Sequence, residues 1–129
     1  MVYLKDKEEI KIIDIQLIAI LFTIVSSIIS LFLTINQRLE LKNLKTLFTT
    51  KQTFKITKFN RTLILVLGLI FLYVNYRLYQ ISKEQKEDLK PYELQISASI
   101  LTVIAALIAL YVVSLSTKEN VADIENPIV

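Results

Sequence analysis

The sequence of 129 residues contains no cysteine and no histidine, and it has only one glycine and two prolines. The lack of cysteine excludes disulfides, thiol chemistry and lipid attachment through sulfur. The lack of histidine removes the commonest metal ligand and the usual general base near neutral pH, so zinc sites of the Cys/His kind are excluded as well. The scarcity of glycine and proline argues against a turn-rich β architecture, including a membrane barrel.

Motifs of the common enzyme classes are also missing from the sequence. It contains no P-loop, no GxGxxG, no HExxH and no GxSxG pattern. Acidic residues are present, but without histidine or cysteine beside them a hydrolytic site is a poor interpretation. We therefore predict a non-enzymatic protein with no catalytic residues, no metal site and no cofactor.

Charged residues are absent from three stretches, which cover residues 15–37, 62–76 and 94–117. At about 1.5 Å per helical residue, the first and the third are long enough for the ~30 Å hydrocarbon core of a bilayer. The middle stretch is short, so it is either a span whose flanking Arg61 and Arg77 reach toward the headgroups or a re-entrant or interfacial segment. We favour three spans, at about residues 13–36, 59–81 and 93–117, in one all-α integral membrane domain.

Two charged segments flank these spans: a basic connector (residues 37–58) and an acidic tail (residues 118–129). The first half of the connector is predicted to be an amphipathic helix on an anionic lipid surface, where each Lys or Arg contributes about 1 kcal/mol. Its second half is rich in β-branched residues and has no helical stripe, and the pattern does not decide between a loop and a short extended piece. A basic segment beside a span is an ordinary topological feature, so we predict no nucleic-acid partner. The cations expected at lipid headgroups are Arg38, Lys42, Lys45, Arg61 and Arg77.

Small and polar side chains recur on one face of each outer span, mostly at steps of four and three residues. On the first span they are Gln16, Thr23, Ser27, Ser30 and Thr34, and on the third they are Gln95, Ser99, Thr102, Ala106 and Ala109. Because small residues and hydrogen bonds hold helices together in lipid, we expect the two stripes to face each other inside a three-helix bundle. Alternatively, a stripe faces another subunit or lines a pore, which requires several copies or a partner because three helices pack without a lumen.

The polar residues at one end of the spans form a further candidate cluster. They are Asp14, Gln16, Asn75, Arg77, Glu93 and Gln95. One interpretation is a binding or gating cluster; the other is interfacial anchoring, with an ion pair between Arg77 and either Asp14 or Glu93. Between the second and third spans, the second helix is expected to continue to about Lys86, and Pro91 marks the start of the third, with Glu93 in its first turn.

Topology and function follow from these features as expectations. Counting Lys and Arg gives eight on the side of the connector and the tail against seven on the other side, which favours an outside N-terminus and an inside C-terminus.

The layout resembles that of three-span phage holins, although holin tails are usually basic and this one carries Glu119, Asp123 and Glu125 against Lys118. The resemblance implies a homo-oligomeric pore. Against a pump or coupled transporter, the uncharged stretches provide no ring of Asp, Glu, Lys or Arg that could select ions or relay protons. We expect an accessory, structural or regulatory subunit of a membrane assembly, with a holin-like or channel-like pore as the alternative; its partners are the lipid bilayer and other membrane subunits or further copies of itself.

Overall fold

A computed structural model describes residues 2–85 and 87–115, with side chains from residue 6 onward. These residues form three helices, α1 (Val2–Leu41), α2 (Thr50–Glu84) and α3 (Lys90–Leu115), and contain no strand. All three are long and apolar enough to cross a membrane. The all-α prediction is therefore confirmed for this part of the chain, while the exact span boundaries stay predictions. The predicted acidic tail lies outside the described residues.

Helix α1 ends where the sequence pattern predicted that it would continue along the membrane surface. Asn43 adopts a left-handed backbone conformation with φ of 57°. The amide of Leu44 donates to the carbonyl of Leu39 at 2.9 Å, and the amide of Asn43 donates to Glu40 at 3.0 Å. This is the Schellman arrangement, in which asparagine replaces the more usual glycine. The predicted amphipathic helix through Lys42 and Lys45 is therefore wrong, because both lysines lie in the turn beyond the end of α1.

The second half of the basic connector is helical, since α2 begins at Thr50. Thr49 caps this helix through a reciprocal pair of bonds, its hydroxyl accepting from the amide of Gln52 at 3.2 Å and its amide donating to the Gln52 side chain at 3.0 Å. This capping box fixes the start of the helix. The loop and the extended piece that the sequence left open are both replaced by the first turns of α2.

The second connection is short and matches its sequence pattern closely. Helix α2 ends at Glu84, two residues before the expected Lys86, which itself lies outside the described residues. Pro91 is in the first turn of α3 together with Glu93, as predicted. At the start of α3 the backbone amide of Lys90 donates a hydrogen bond to the Asp88 carboxylate at 3.1 Å.

Helix α2 is the central helix and runs antiparallel to both of its neighbours. It packs against α1 on one side and α3 on the other, whereas no Cα atom in the described part of α1 lies within 8 Å of one in α3. The expectation that the stripes of the two outer helices face each other within one chain is therefore wrong. Packing between α1 and α2 is apolar at one end, where Ile12 lies against Val74 and Ile81.

Candidate functional site

The side of α1 that contacts α2 is a row at steps of seven residues, and it lies beside the predicted stripe. Its buried members are Ile12, Ala19, Ser26 and Leu33. Of the predicted stripe on α1, Thr23 and Ser27 are exposed, and Gln16, Ser30 and Thr34 are half-buried. The stripe is thus a true face of the helix, but it is turned away from the helix–helix contact by part of a turn.

This face of α1 forms one wall of an open groove that crosses the middle of the molecule. Helix α2 forms the floor and Thr102 of α3 stands on the opposite side, enclosing about 520 Å³. All of its lining side chains belong to the three uncharged stretches of the sequence. The residues that line this groove are Thr23, Ser26, Ser27, Ser30, Leu31, Thr34, Ile64, Leu67, Gly68, Phe71 and Thr102.

Hydroxyl groups dominate the polar surface of the groove, and most of them donate to their own helix. Thr23 donates to the carbonyl of residue 19 at 2.9 Å, Ser27 to that of residue 23 at 3.0 Å, and Thr34 to that of residue 30 at 2.8 Å. Thr102 does the same on α3, at 2.9 Å from the carbonyl of residue 98. These hydroxyls therefore carry no unsatisfied donor into an apolar surrounding, while their oxygen atoms stay able to accept.

The stripe on α3 is divided between the contact with α2 and the groove. Ser99, Ala106 and Ala109 are buried, whereas Gln95 and Thr102 are exposed. Helix α3 passes close to α2 at Gly68, where an added Cβ atom would lie in ordinary van der Waals contact, 3.5 Å from Cγ2 of Val103. The side-chain amide of Asn75 also donates to the hydroxyl of Ser99. Small residues and one interhelical hydrogen bond thus join these two helices, as is typical of helix packing in lipid.

A second polar feature, here called the polar seam, fills one half of the contact between α1 and α2. Asn60 accepts from the hydroxyl of Ser26 at 2.7 Å and donates to the hydroxyl of Ser30 at 2.8 Å. Further along, Asn36 donates to Thr53 at 3.3 Å and accepts from the amide of Phe48 at 2.9 Å. The seam is defined by Ser26, Ser30, Asn36, Thr53, Thr57 and Asn60, all of which are buried except the half-buried Ser30.

The α2 side of this seam was not predicted, because the second half of the basic connector was interpreted as lacking a helical stripe. Thr53, Thr57 and Asn60 recur at steps of four and three, and the same register continues through Leu67, Val74 and Ile81. The inner face of α2 is therefore one continuous row whose first third is polar. A search for any residue class at helical spacing could have found it.

Arg61 lies directly beside the polar seam and is only 4% exposed. Its predicted role at lipid headgroups is wrong for this structure, since a side chain buried to this degree is covered by protein. Its depth is also notable: Asn60 bonds to Ser26, and Ser26 is the middle residue of the uncharged stretch 15–37. Arg61, the next residue after Asn60, thus lies level with the centre of the uncharged stretch of α1.

Arg77 marks the opposite end of the α1–α2 pair. It forms an ion pair with Glu8, not with Asp14 or Glu93 as expected, and its side chain is 32% exposed. It also donates to Gln80 at 2.8 Å, and Gln80 donates to the Tyr76 hydroxyl at 3.2 Å. The other members of the predicted end cluster divide: Asn75 bonds to Ser99 of α3, Gln16 is half-buried, and Gln95 is exposed. The contacts of Arg77 and Asn75 are thus made with residues outside the predicted cluster.

The remaining predicted headgroup cations occupy exposed positions around the first turn. Arg38 is in the last turn of α1, and Lys42 and Lys45 follow it. All three are exposed, as is Lys51 in the first turn of α2. These four residues, here called the basic turn, give the α1–α2 connection a basic surface. The surface consists of separate exposed side chains and not of one face of a surface helix.

Comparison with known proteins adds no family to this description. The chain matches no protein-family model, no curated protein and no solved structure. Within residues 2–85 and 87–115 no group of three or more carboxylates is arranged to hold a metal ion. The groove, the polar seam and the basic turn are accordingly the features from which a function is argued.

Proposed function

We propose that this chain is a small, non-enzymatic, multi-pass membrane protein that works as an accessory, structural or regulatory subunit by associating with further membrane helices. The observation that supports this proposal most directly is the groove between α1 and α3. Three helices in a bundle would bury their small-residue faces against one another, whereas here the hydroxylated face of α1 borders an open space, with Thr102 of α3 on the other side.

The chemistry of the groove fits a helix as its occupant. Between helices in lipid, small side chains permit close backbone approach and hydroxyls supply hydrogen bonds, with modest individual contributions of ~0.6 kcal/mol on average. The outward surfaces of α1 and α3 have the opposite character, with large aliphatic side chains such as Leu21, Val25, Ile104 and Ile108 exposed. This contrast between a small, hydroxylated face and a large, aliphatic one favours protein on the first and lipid on the second.

The mass of the protein in mild detergent tests this proposal. Tagged protein is purified from membranes of its source cells and its mass is measured by light scattering, with the detergent subtracted. We expect a particle heavier than the single chain of 14.9 kDa. Filling the groove with Ser27→Leu and Thr102→Leu together should reduce that mass, while Val25→Leu on the lipid-facing side of α1 should not. A wild-type particle of one chain would contradict the proposal.

A second candidate function is a homo-oligomeric pore of holin-like or channel-like type, and Arg61 is the observation that favours it. The uncharged stretches alone gave no ionisable group inside a span, which argued against ion selectivity. If the bilayer is centred on the uncharged stretches of α1 and α3, Arg61 lies within its hydrocarbon layer, where charged residues are rare and usually functional. A pore built from several copies would hold several such cations inside its wall, and their combined field would favour anions.

Conductance in planar bilayers tests this second candidate. We expect a pore to show anion preference in asymmetric chloride, and we expect Arg61→Gln to reduce that preference while conductance persists. Lys58→Gln is a suitable control, because Lys58 is exposed one turn earlier on the same helix. Absence of conductance at protein densities that give oligomers in the same membranes would remove the pore.

We further propose that the basic turn lies on the cytoplasmic side, with the N-terminus outside. The support is the density of exposed cations around the α1–α2 turn, Arg38, Lys42, Lys45 and Lys51. Single cysteines at residues 45 and 87, in this cysteine-free chain, can be tested with a membrane-impermeant thiol reagent on intact cells. Labelling at residue 87 alone supports this orientation, and labelling at residue 45 alone reverses it.

A further inference from the structure

We propose that the acidic tail (residues 118–129) binds within its own chain along the first turns of α2, where it covers a strip of exposed lysines. The tail lies outside the described residues, but the surface that it would meet and the end of α3, from which it follows, are both described. This contact is at the basic-turn end of the bundle and is separate from the groove.

One side of α2 faces α3 and continues beyond it toward the basic turn. Gly68 and Asn75, seven residues apart, both lie against α3. Stepping back by seven along the same row leads to the buried Arg61 and then to the half-buried Phe54. Because residues at this spacing share one face of a helix, Phe54 lies on the continuation of the side that packs against α3.

The described part of α3 ends before it reaches the level of Phe54. The hydrogen bond between Asn75 and Ser99 shows which residues of the two helices are level. Since antiparallel helices rise equally per residue, an equal count from Asn75 back to Phe54 and from Ser99 onward ends at about residue 120, in the acidic tail. The last residue of α3 is Leu115. The tail therefore follows α3 at the point where α2 loses its neighbour.

Three exposed lysines surround Phe54 on this uncovered part of α2. Lys51 is one turn before Phe54, Lys58 is one turn after it, and Lys55 is next to it. These four residues are here called the α2 strip. Among the acidic residues that the structure describes, none forms an ion pair with the three lysines. The strip thus combines three positive charges with one aromatic side chain.

The acidic tail has the composition that complements this strip. Glu40 is the only acidic residue in the sequence from 15 to 83, so the two helices of the basic turn supply little negative charge of their own. The tail supplies Glu119, Asp123 and Glu125, and the apolar residues between these carboxylates can cover the aromatic ring of the strip. Opposite charge and apolar contact therefore favour the same pairing.

The tail can reach the strip without a long connection. Along the bundle axis, Lys55 lies within about 6 Å of the level of Leu115, which is some four helical residues. The chain from Leu115 to Glu119 can extend to about 13 Å. Because α2 begins and α3 ends on the same side of a three-span protein, the contact requires no segment to cross the bilayer.

Anionic lipid headgroups and the tail of a second copy are the competing occupants of the α2 strip. A segment tethered a few residues away has an effective concentration in the millimolar range, which favours the tail of the same chain over that of another copy. Lipid headgroups are less suited, because the strip continues a surface that packs against protein. Headgroups have the remaining cations of the basic turn, Arg38, Lys42 and Lys45, which are also exposed.

The mobility of a spin label on the tail tests the proposal, in the full chain purified in uncharged detergent. Ala122→Cys gives a unique labelling site, because the chain has no cysteine. Lys51→Glu with Lys58→Glu reverses the charge of the strip. Both positions are exposed, and an acidic residue in the first turn suits a helix start, so α2 should keep its fold.

Two further variants make the test specific. Lys42→Glu with Lys45→Glu is the matched control, because it makes the same change of charge on the same side of the bundle but away from the strip. Glu119→Lys with Asp123→Lys, added to the reversed strip, exchanges the signs of the two partners and should restore the contact.

We expect an immobilised label in the wild type. Reversing the strip should raise the ratio of mobile to immobile label about 2- to 30-fold, as follows from the loss of two exposed ion pairs. The control should leave the ratio unchanged, and the exchange of signs should return it toward the wild-type value. A mobile label in the wild type, an equal effect of the control, or no recovery on exchange would each overturn the proposal.

Two measurements identify the competing occupants. Oxidation of the variant with Lys55→Cys and Ala122→Cys should give a disulfide within one chain; a disulfide formed only between chains would assign the strip to the tail of a second copy. Native mass spectrometry should show the same number of retained anionic lipids after reversal of the strip. A loss of lipid without a change in the label would assign the strip to headgroups. Either of these contrary results would overturn the proposal, and neither would affect the association surface at the groove.

Discussion

Replacing Asn60 by leucine removes the centre of the polar seam while keeping a side chain of similar size. Asn60 is 1% exposed and makes two interhelical bonds, with Ser26 at 2.7 Å and with Ser30 at 2.8 Å. Interhelical hydrogen bonds in membrane proteins contribute ~0.6 kcal/mol on average and at most ~1.7 kcal/mol each. Two such bonds give a range of about 1–3.5 kcal/mol for the lost free energy of unfolding.

The lower part of that range is expected, for a reason visible elsewhere on the same helix. Thr23 and Ser27 donate to carbonyls four residues earlier. Once Asn60 is gone, Ser26 and Ser30 can turn to the same kind of acceptor, so neither hydroxyl stays buried without a partner. Leucine also fills most of the vacated volume, which keeps the cavity contribution small. We therefore expect Asn60→Leu to cost about 1–2 kcal/mol.

The free energy of unfolding can be measured by titration with SDS in mixed micelles. Dyes on Lys11→Cys and Lys83→Cys, two exposed positions near the Arg77 end of the α1–α2 pair, report separation of these helices by energy transfer. Thr62→Val is the matched control, since Thr62 is exposed and donates only to its own helix, at 2.8 Å from the Lys58 carbonyl. Its effect should stay within about 0.5 kcal/mol. The reasoning fails if Asn60→Leu matches the wild type or if Thr62→Val costs as much.

Substitutions at three further contacts give testable predictions. Gly68→Ala should keep or slightly raise the free energy of unfolding, because the new Cβ would meet Val103 at an ordinary 3.5 Å and alanine favours helix over glycine by about 1 kcal/mol. Gly68→Leu should separate α3 from α2, which would be measured as a loss of energy transfer between dyes on these two helices. Glu8→Gln should lower the free energy of unfolding by at most about 1 kcal/mol, because the ion pair with Arg77 is partly exposed. An equally large decrease in high salt would contradict an ionic origin. Lys42→Glu with Lys45→Glu should reduce the number of anionic lipids retained in native mass spectrometry, and Lys83→Glu, at the other end of α2, should leave it unchanged.

The three helices could be predicted from the sequence, but their ends around the basic turn could not be predicted from hydrophobic periodicity alone. The helix ends are set by local hydrogen bonds: Asn43 in the left-handed conformation stops α1, and Thr49 with Gln52 starts α2. Both signals are present in the sequence, as an asparagine after the last apolar residue and as a threonine followed three residues later by glutamine. Apolar spacing carries no information about either, because capping depends on side-chain oxygens and backbone conformation.

A polar face on α1 and another on α3 were predicted from the sequence, whereas the groove itself required the structure. Periodicity assigns residues to one face of a helix, but it does not say which helix lies against that face. The pairing of α1 with α2 is set by contacts that the outer stripes do not contain, such as Asn60 with Ser26 and Val74 with Ile12. The stripe residues Thr23 and Ser27 are consequently in the groove and not in a helix contact within the chain.

The central position of α2 accounts for the unequal composition of the three helices. The outer helices have uncharged stretches of 23 and 24 residues. The uncharged stretch of α2 has only 15 residues and is preceded directly by Asn60 and Arg61. A polar or charged side chain inside a bilayer is costly unless protein covers it. Among the helices formed by residues 2–85 and 87–115, only α2 has a neighbour on each side, and Asn60, Arg61 and Thr57 are among its buried residues. A short uncharged stretch is therefore compatible with a membrane span when the helix is covered by two others.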